Sequence, residues 1–92
     1  MVTYKGRKIS NWHLFVYQLM KQKATNKVFI NYPIAKEVIN RRFQKLPKFY
    51  LKIILREMEE LKLIKQVGRR GHMVFEFTAK DLDKKLNPII ID

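Results

Sequence analysis

The sequence predicts a small α+β domain that is mainly α-helical and carries one β-hairpin. Three stretches place apolar residues at the i, i+3, i+4, i+7 spacing of an amphipathic helix. Nearer the carboxyl end, two short runs rich in apolar residues flank a turn with a glycine at each end. The chain has 92 residues, of which 47% are hydrophobic. This length and composition favour a single domain, residues 1–92, with a modest core.

The charge of the chain points to a polyanionic partner. Twenty Lys and Arg residues stand against eight Asp and Glu, which gives a formal net charge of +12. An excess of this size in a short chain favours nucleic acid over an anionic membrane surface. There is no cysteine, so disulfides and thiolate chemistry are excluded. No apolar run approaches the ~20 residues of a membrane span, and we expect no membrane partner.

The amino-terminal residues 1–9 hold three bases, Lys5, Arg7 and Lys8, around Gly6. They predict a mobile basic N-terminal arm, and the alternative is an ordinary solvated terminus.

A first helix is predicted from a cap at Ser10 or Asn11 to about Lys23. Its inward-facing residues are Trp12, Phe15, Val16, Leu19 and Met20. Leu14 and Tyr17 fall on the opposite side of this helix. They are interpreted either as isolated surface residues or as part of a dimer interface.

Two further helices are predicted after a short strand at residues 28–30. The second helix covers residues 33–42, because proline at position 33 suits a first helical turn. Phe43 is expected to anchor the turn that follows. The third helix is predicted over residues 47–62, with a broad apolar stripe facing the core.

The stretch 45–62 has an unusual distribution of charge. Four of its five bases precede its three glutamates, the reverse of the order that the helix dipole favours. Between Arg41 and Arg56 there are six basic residues and no acidic one. The start of such a helix offers both free N–H groups and cations. This pattern predicts that the positive end binds an external anion.

A β-hairpin is predicted next, from strands at residues 63–67 and 72–78. The turn between them, residues 68–71, carries Arg69 and Arg70 between its two glycines. Arginine in this position suits a narrow nucleic-acid groove, and a solvated turn is the alternative interpretation.

The carboxyl end is predicted as a short helix, residues 79–86, with Leu82 and Leu86 on one side. Asn87 and Pro88 then stop the helix. The tail, residues 87–92, is too apolar to extend freely into water, so we expect it to pack on the core or on a partner subunit.

This order of elements resembles the winged helix-turn-helix family over roughly residues 10–86. The resemblance rests on the tract 34–38, on the spacing Leu51, Leu55, Met58 and Leu61, and on the phrase 59–64 directly before a strand. The chain departs from the family at Lys62, where glycine is common, and in the turn 41–45, which lacks the usual small residue. The small regulators of archaea and of archaeal viruses and plasmids are similar in type. The resemblance implies the order helix, strand, helix, helix, strand, wing, strand, helix.

The resemblance also implies a function in binding double-stranded DNA, with the third helix in the major groove and the wing on the backbone or in the minor groove. The residues expected at the DNA are Lys45, Lys48, Phe49, Lys52, Ile53 and Arg56 of the third helix, Arg41 and Arg42 of the turn, Arg69, Arg70 and His72 of the wing, and Lys5, Arg7 and Lys8 of the arm. Phe49 and Ile53 either touch thymine methyl groups or mark a protein interface.

We therefore expect a sequence-specific transcriptional regulator in the cytoplasm, or in the host cytoplasm if a virus or plasmid encodes the chain. A homodimer is expected, because two third helices can then enter successive major grooves. Its interface is predicted to involve Leu14, Tyr17, Leu82, Leu86, Ile89, Ile90 and Ile91.

Catalysis is not expected from this sequence. It holds two histidines, His13 and His72, and neither has metal-ligand spacing to a second ligand. There is no phosphate-cradling glycine loop and no activated nucleophile. We expect no catalytic residue, no metal, no cofactor and no small-molecule substrate. Two alternatives stay open, an RNA-binding domain of the ribosomal type and a winged-helix module for protein interaction.

Overall fold

The computed structural model describes residues 2–44, 47 and 49–83, without the side chains of Val2, Arg69, Arg70, Asp81 and Asp83. The elements in chain order are β1 (Val2–Tyr4), β2 (Arg7–Ile9), α1 (Asn11–Gln22), β3 (Phe29–Asn31), α2 (Tyr32–Arg42), α3 (Tyr50–Glu60), β4 (Ile64–Arg70), β5 (His72–Phe77) and a single helical turn, Lys80–Asp83. The predicted α+β class is confirmed, because helices of 11 or 12 residues pack with short antiparallel strands.

The amino terminus forms a hairpin, so the prediction of a mobile basic arm is wrong. Strands β1 and β2 pair in antiparallel register, with Tyr4 opposite Arg7. The two residues between them, Lys5 and Gly6, have φ values of 51° and 77°, the left-handed pair that a tight hairpin turn needs. Tyr4 and Ile9 are buried, and this apolar burial holds the hairpin on the core.

Helix α1 begins where the sequence predicts. The Ser10 side chain accepts a hydrogen bond of 3.1 Å from the His13 N–H, which satisfies a free donor of the first turn. The placement of Leu14 and Tyr17 on an outer dimer surface is wrong, because both are buried. The Tyr17 ring meets Phe77 of β5 edge-on at 5.5 Å. The sheet therefore covers the side of α1 that helical periodicity left outside.

Helix α2 follows β3 without a gap, and both lie within one residue of their predicted bounds. The Asn31 side chain caps the helix by accepting a hydrogen bond of 2.9 Å from the Ile34 N–H. Proline in the first turn needs no such partner, as predicted. Ala35 and Ile39 are buried, and Phe43 closes the carboxyl end by donating its N–H to the Ile39 carbonyl.

Helix α3 is shorter than predicted and covers Tyr50–Glu60. It buries Leu51, Ile54, Leu55 and Met58, which are part of the predicted stripe. The helix ends in a Schellman motif, in which the Leu63 N–H donates to the Met58 carbonyl and the Lys62 N–H to the Glu59 carbonyl. Lys62 therefore has a φ of 65°, the left-handed conformation that usually selects glycine.

The second sheet has the strand order β3-β5-β4, with both pairs antiparallel. The predicted hairpin is confirmed, and Phe75 and Phe77 of β5 face the core as the alternation indicates. The predicted four-residue turn is too long. Residues 68–70 continue β4, and Gly71, with a φ of 74°, alone separates the paired Arg70 and His72. The register shifts between Gln66 and Gly68, which leaves one extra residue on β4.

The carboxyl-terminal turn, Lys80–Asp83, packs Leu82 into the core, so the prediction of Leu82 as a dimer contact is wrong. The other predicted dimer contacts, Leu86, Ile89, Ile90 and Ile91, lie outside the described residues, as does the tail 87–92. Among the helices of the described residues, none combines the length and the apolar character required to cross a membrane.

Candidate nucleic-acid interface

An aromatic cluster packs the first residue of α3 against α1 and the end of α2. The Trp12 ring lies 4.8 Å from Phe43 in an edge-on arrangement and 6.5 Å from Tyr50. Phe43 also meets Phe15 edge-on at 5.8 Å. These rings connect α1, the end of α2 and the first residue of α3. Aromatic pairs of this geometry contribute about 0.5–1.5 kcal/mol beyond the area they bury. The cluster therefore holds the start of α3 against both other helices.

The outer face of α3 combines bases with large apolar side chains. Lys52 and Arg56 are exposed, and they are separated by one helical turn. Phe49 is 64% exposed and Ile53 is 41% exposed. Because Leu51, Ile54, Leu55 and Met58 occupy the core side, the 3.6-residue period turns these four outward. An exposed surface of this composition can bind phosphates and make apolar contacts at the same time.

A groove of about 250 Å³ lies between α3 and the β4–β5 hairpin. Its lining residues are Lys52, Leu55, Arg56, Glu59, Gln66, Met73 and Phe75. The Glu59 carboxylate accepts a hydrogen bond of 3.1 Å from the Gln66 N–H and thereby ties the start of β4 to the helix. The structure thus brings two predicted contact residues, Lys52 and Arg56, to the same groove as the hairpin.

The two arginines at the end of α2 are exposed and already have partners. Arg41 donates to the Glu37 carboxylate one helical turn earlier, at 2.7 Å. The Arg42 guanidinium lies over the rings of Phe15 and Phe43, 5.5 Å and 5.3 Å from their centroids. Cations at a helix carboxyl terminus are favoured by the dipole. Stacking also restrains the Arg42 side chain, which lowers the entropy cost of a further contact.

Several predicted contact residues are less fully described. Lys45 and Lys48 lie outside the described residues. Arg69 and Arg70 form the end of β4, beside the hairpin turn, and their side chains are not described. His72, the first residue of β5, is exposed.

The amino-terminal bases lie at the other end of α3. The Arg7 side chain donates a hydrogen bond of 2.5 Å to the main-chain carbonyl of Glu60, which ends the helix. Arg7 and Lys8 line a cavity of about 260 Å³ together with Glu57 and Glu60. The structure therefore separates these two bases from Lys52 and places them beside the acidic end of α3.

His13 has partners that the sequence analysis missed. Its Nδ1 lies 2.6 Å from the Ser10 Oγ, and its Nε2 lies 3.4 Å from a carboxylate oxygen of Glu57. The Glu57 contact joins residues 44 positions apart, so no local pattern could reveal it. The Ser10 side chain already caps α1 by accepting from the His13 N–H. The contacts among Ser10, His13 and Glu57 therefore have a structural role. No group of three His, Cys, Asp or Glu residues in the described part of the chain could hold a metal ion.

Comparison of the chain with protein-family models, with curated proteins and with solved structures found no match.

Proposed function

We propose that the chain is a winged helix-turn-helix domain that binds double-stranded DNA with sequence specificity and acts as a transcriptional regulator. The order α1, β3, α2, α3, β4, β5 supports the proposal, as does the antiparallel sheet that joins β3 to the hairpin. The β1–β2 hairpin precedes this arrangement and is an addition to it. In the proposed complex, α3 enters the major groove and the β4–β5 hairpin follows the adjacent backbone.

The observation that carries the proposal is the outer face of α3. Lys52 and Arg56 are exposed on it, next to the hairpin groove. The sequence between Arg41 and Arg56 contains no acidic residue. At the far end of the helix, the Glu57 carboxylate contacts His13 of α1 and the Glu59 carboxylate accepts a hydrogen bond from the Gln66 N–H of β4. The basic end of the helix is thus left to face an external polyanion.

The same charge favours RNA as strongly as DNA, because both carry a phosphate backbone. A helix with exposed bases and apolar side chains suits the major groove of B-form DNA, which is about 12 Å wide. The major groove of an RNA duplex is too deep and narrow for side chains to read. This difference favours duplex DNA over duplex RNA.

A protein-interaction module is the second candidate function. It is favoured by Phe49, the most exposed of the large hydrophobic side chains described, at 64%. An exposed aromatic side chain is a common anchor in protein interfaces. The net charge of +12 argues against this function, because a protein-interaction module would not explain the excess of basic residues.

A homodimer is part of the proposal because two copies of α3 could then occupy half-sites about 34 Å apart. Leu14, Tyr17 and Leu82 cannot form its interface without leaving the core. Sedimentation of the free chain and of the DNA complex would measure the stoichiometry.

The experiment that tests the function is a titration of the full chain against a duplex selected from random DNA, with a structured RNA of equal charge as the competitor. We expect the selected duplex to bind more tightly at equal salt. Contact with roughly four to six phosphates per copy should give a log–log salt slope of about −4 to −5. Preferential binding of the RNA would contradict the proposal, and so would binding that is independent of salt.

A further inference from the structure

A cavity of about 370 Å³ opens between α1 and α2. Its lining residues are Leu19, Gln22, Lys23, Ile34, Glu37, Val38, Arg41 and Arg42. Sites for small molecules in proteins are typically clefts of about 300–1,000 Å³ with an apolar lining and a few polar groups. The cavity lies at the low end of this range.

The floor of the cavity is aliphatic. Leu19 is buried, and Ile34 and Val38 are half-buried against the same core. Ile34 and Val38 are one helical turn apart on α2, and Leu19 faces them from α1. A ligand that covers these side chains would remove apolar surface from water, which is favourable at about 25 cal/mol per Å². A free phosphate ion has no apolar part to place there.

The rim of the cavity is cationic. It carries Lys23, Arg41 and Arg42 against one carboxylate, Glu37. Arg41 is paired with Glu37 at 2.7 Å, and Arg42 is stacked on two aromatic rings. Lys23 is exposed, and within the described residues its ammonium group has no partner. The rim therefore has an excess of positive charge, with Lys23 free to bind an anion.

We infer that this cavity binds a small amphipathic carboxylate, whose hydrocarbon chain lies against Leu19, Ile34 and Val38 and whose carboxylate lies beside Lys23. Arg41 and Arg42 line the cavity and also belong to the proposed DNA-binding surface. A bound anion would reduce the positive potential of that surface and weaken DNA binding. This regulatory effect rests on the proposed function, whereas binding of the carboxylate does not.

The test is a titration of decanoate into the full chain without DNA, below the concentration at which decanoate forms micelles. Carbon–proton correlation spectra would follow the methyl groups of Leu19, Ile34 and Val38, with the Ile53 methyls on α3 as an internal reference. We expect saturable shifts confined to the three cavity residues. Decan-1-ol should bind about tenfold more weakly, since a tenfold change corresponds to about 1.4 kcal/mol and one charged hydrogen bond is worth at least that.

Two variants distinguish binding of decanoate in the cavity from a general attraction of this anion to a basic protein. Lys23→Gln removes the cation at the rim, and it should weaken decanoate binding about tenfold while the circular dichroism spectrum stays unchanged. Lys36→Gln removes an exposed base from α2 that does not line the cavity, and it should leave binding unchanged. Absence of saturable shifts, or equal effects of the two variants, would overturn the inference.

The regulatory effect is measured separately. Decanoate at saturation should lower the affinity of the parent chain for its selected duplex, and the Lys23→Gln variant should need a higher decanoate concentration for the same loss. If decanoate binds and the DNA affinity stays the same, the regulatory effect is excluded, but the cavity is still a binding site for the carboxylate. If the chain binds no DNA at all, the proposed function fails and the methyl titration still decides the site.

Discussion

The Arg7 guanidinium donates a hydrogen bond of 2.5 Å to the carbonyl of Glu60, the last residue of α3. This contact joins the amino-terminal hairpin to the helix proposed to read DNA. It also satisfies a carbonyl that has no partner within the helix and places a cation at the negative end of the dipole. A residue predicted to reach DNA from a mobile arm is thus a stabilising contact of the fold.

Replacing Arg7 by Ala should lower the free energy of unfolding by about 1 kcal/mol, because an exposed charge-assisted hydrogen bond is lost. For a domain of this size the melting temperature should fall by about 4–8 °C. Lys8→Ala is the matched control and should change little, since no hydrogen bond of the Lys8 side chain is described. Thermal unfolding followed by circular dichroism measures both. If Arg7→Ala left stability unchanged and reduced the salt slope of DNA binding by about one unit, Arg7 would be a phosphate contact instead.

Reversing the charge of Lys52 and Arg56 together, by Lys52→Glu and Arg56→Glu, should reduce DNA affinity by about a hundredfold or more and make the salt slope less steep by about two units. Stability should change by less than about 0.5 kcal/mol per site, because both side chains are exposed.

The matched control is Lys27→Glu with Lys80→Glu, two exposed bases outside the proposed surface. Each double reversal lowers the formal net charge by four, from +12 to +8. Fluorescence anisotropy at several salt concentrations compares them. Equal losses in the two variants would mean that only net charge matters and that α3 does not read the DNA.

The double variant Phe49→Ala, Ile53→Ala tests the apolar side chains on the outer face of α3. We expect about a tenfold loss of affinity for A·T-rich sites, since contacts to thymine methyl groups contribute to discrimination of a base pair. The salt slope should be unchanged, because no phosphate contact is removed. Competition titrations with A·T-rich and G·C-rich duplexes measure the preference. Unaltered affinity and preference would favour the protein-interaction function of these two side chains.

Replacing Lys62 by Gly should raise the free energy of unfolding by about 0.5–1 kcal/mol. Lys62 has a φ of 65°, and relief of its left-handed strain outweighs the greater entropy of glycine in the unfolded chain. The Thr78 hydroxyl donates to the Lys62 carbonyl, a contact that glycine keeps. Lys65→Gly, within strand β4, is the control and should be destabilising. Urea denaturation measures both, and a loss of stability in Lys62→Gly would show that the Lys62 side chain has a compensating contact.

Replacing Trp12 by Phe should cost far less stability than replacing it by Ala. The Trp12 Nε1–H is buried and has no hydrogen-bond partner among the described residues. Phenylalanine removes this unsatisfied donor, which is worth about 1–3 kcal/mol, and keeps a ring against Phe43 and Tyr50. Alanine should cost about 3–5 kcal/mol, because it opens a cavity in the aromatic cluster. Equal losses in the two variants, measured by urea denaturation, would point to an unrecognised hydrogen bond of the indole.

Local chemistry made much of the fold predictable. Ser10 caps α1 by a side-chain oxygen at its amino end, and the proline in the first turn of α2 needs no hydrogen bond there. Both signals act over three or four residues, so they can be read directly from the chain. The alternation in β5 and the exposure of Lys52, Ile53 and Arg56 on α3 follow in the same way from strand and helix periods.

Tertiary packing decided the features that periodicity could not determine. Helix α1 has two apolar sides, and only the sheet, through Phe77, determines that Tyr17 is buried. The contacts of Arg7 with Glu60 and of His13 with Glu57 join positions 53 and 44 residues apart. Sequence by itself therefore determined the helices, the hairpin and the excess of positive charge, because these depend on neighbouring residues. In α3, the bases Lys52 and Arg56 stay exposed, whereas the Glu57 and Glu59 carboxylates contact other elements. Only the tertiary structure decided this difference, because it depends on which distant segments pack against the helix.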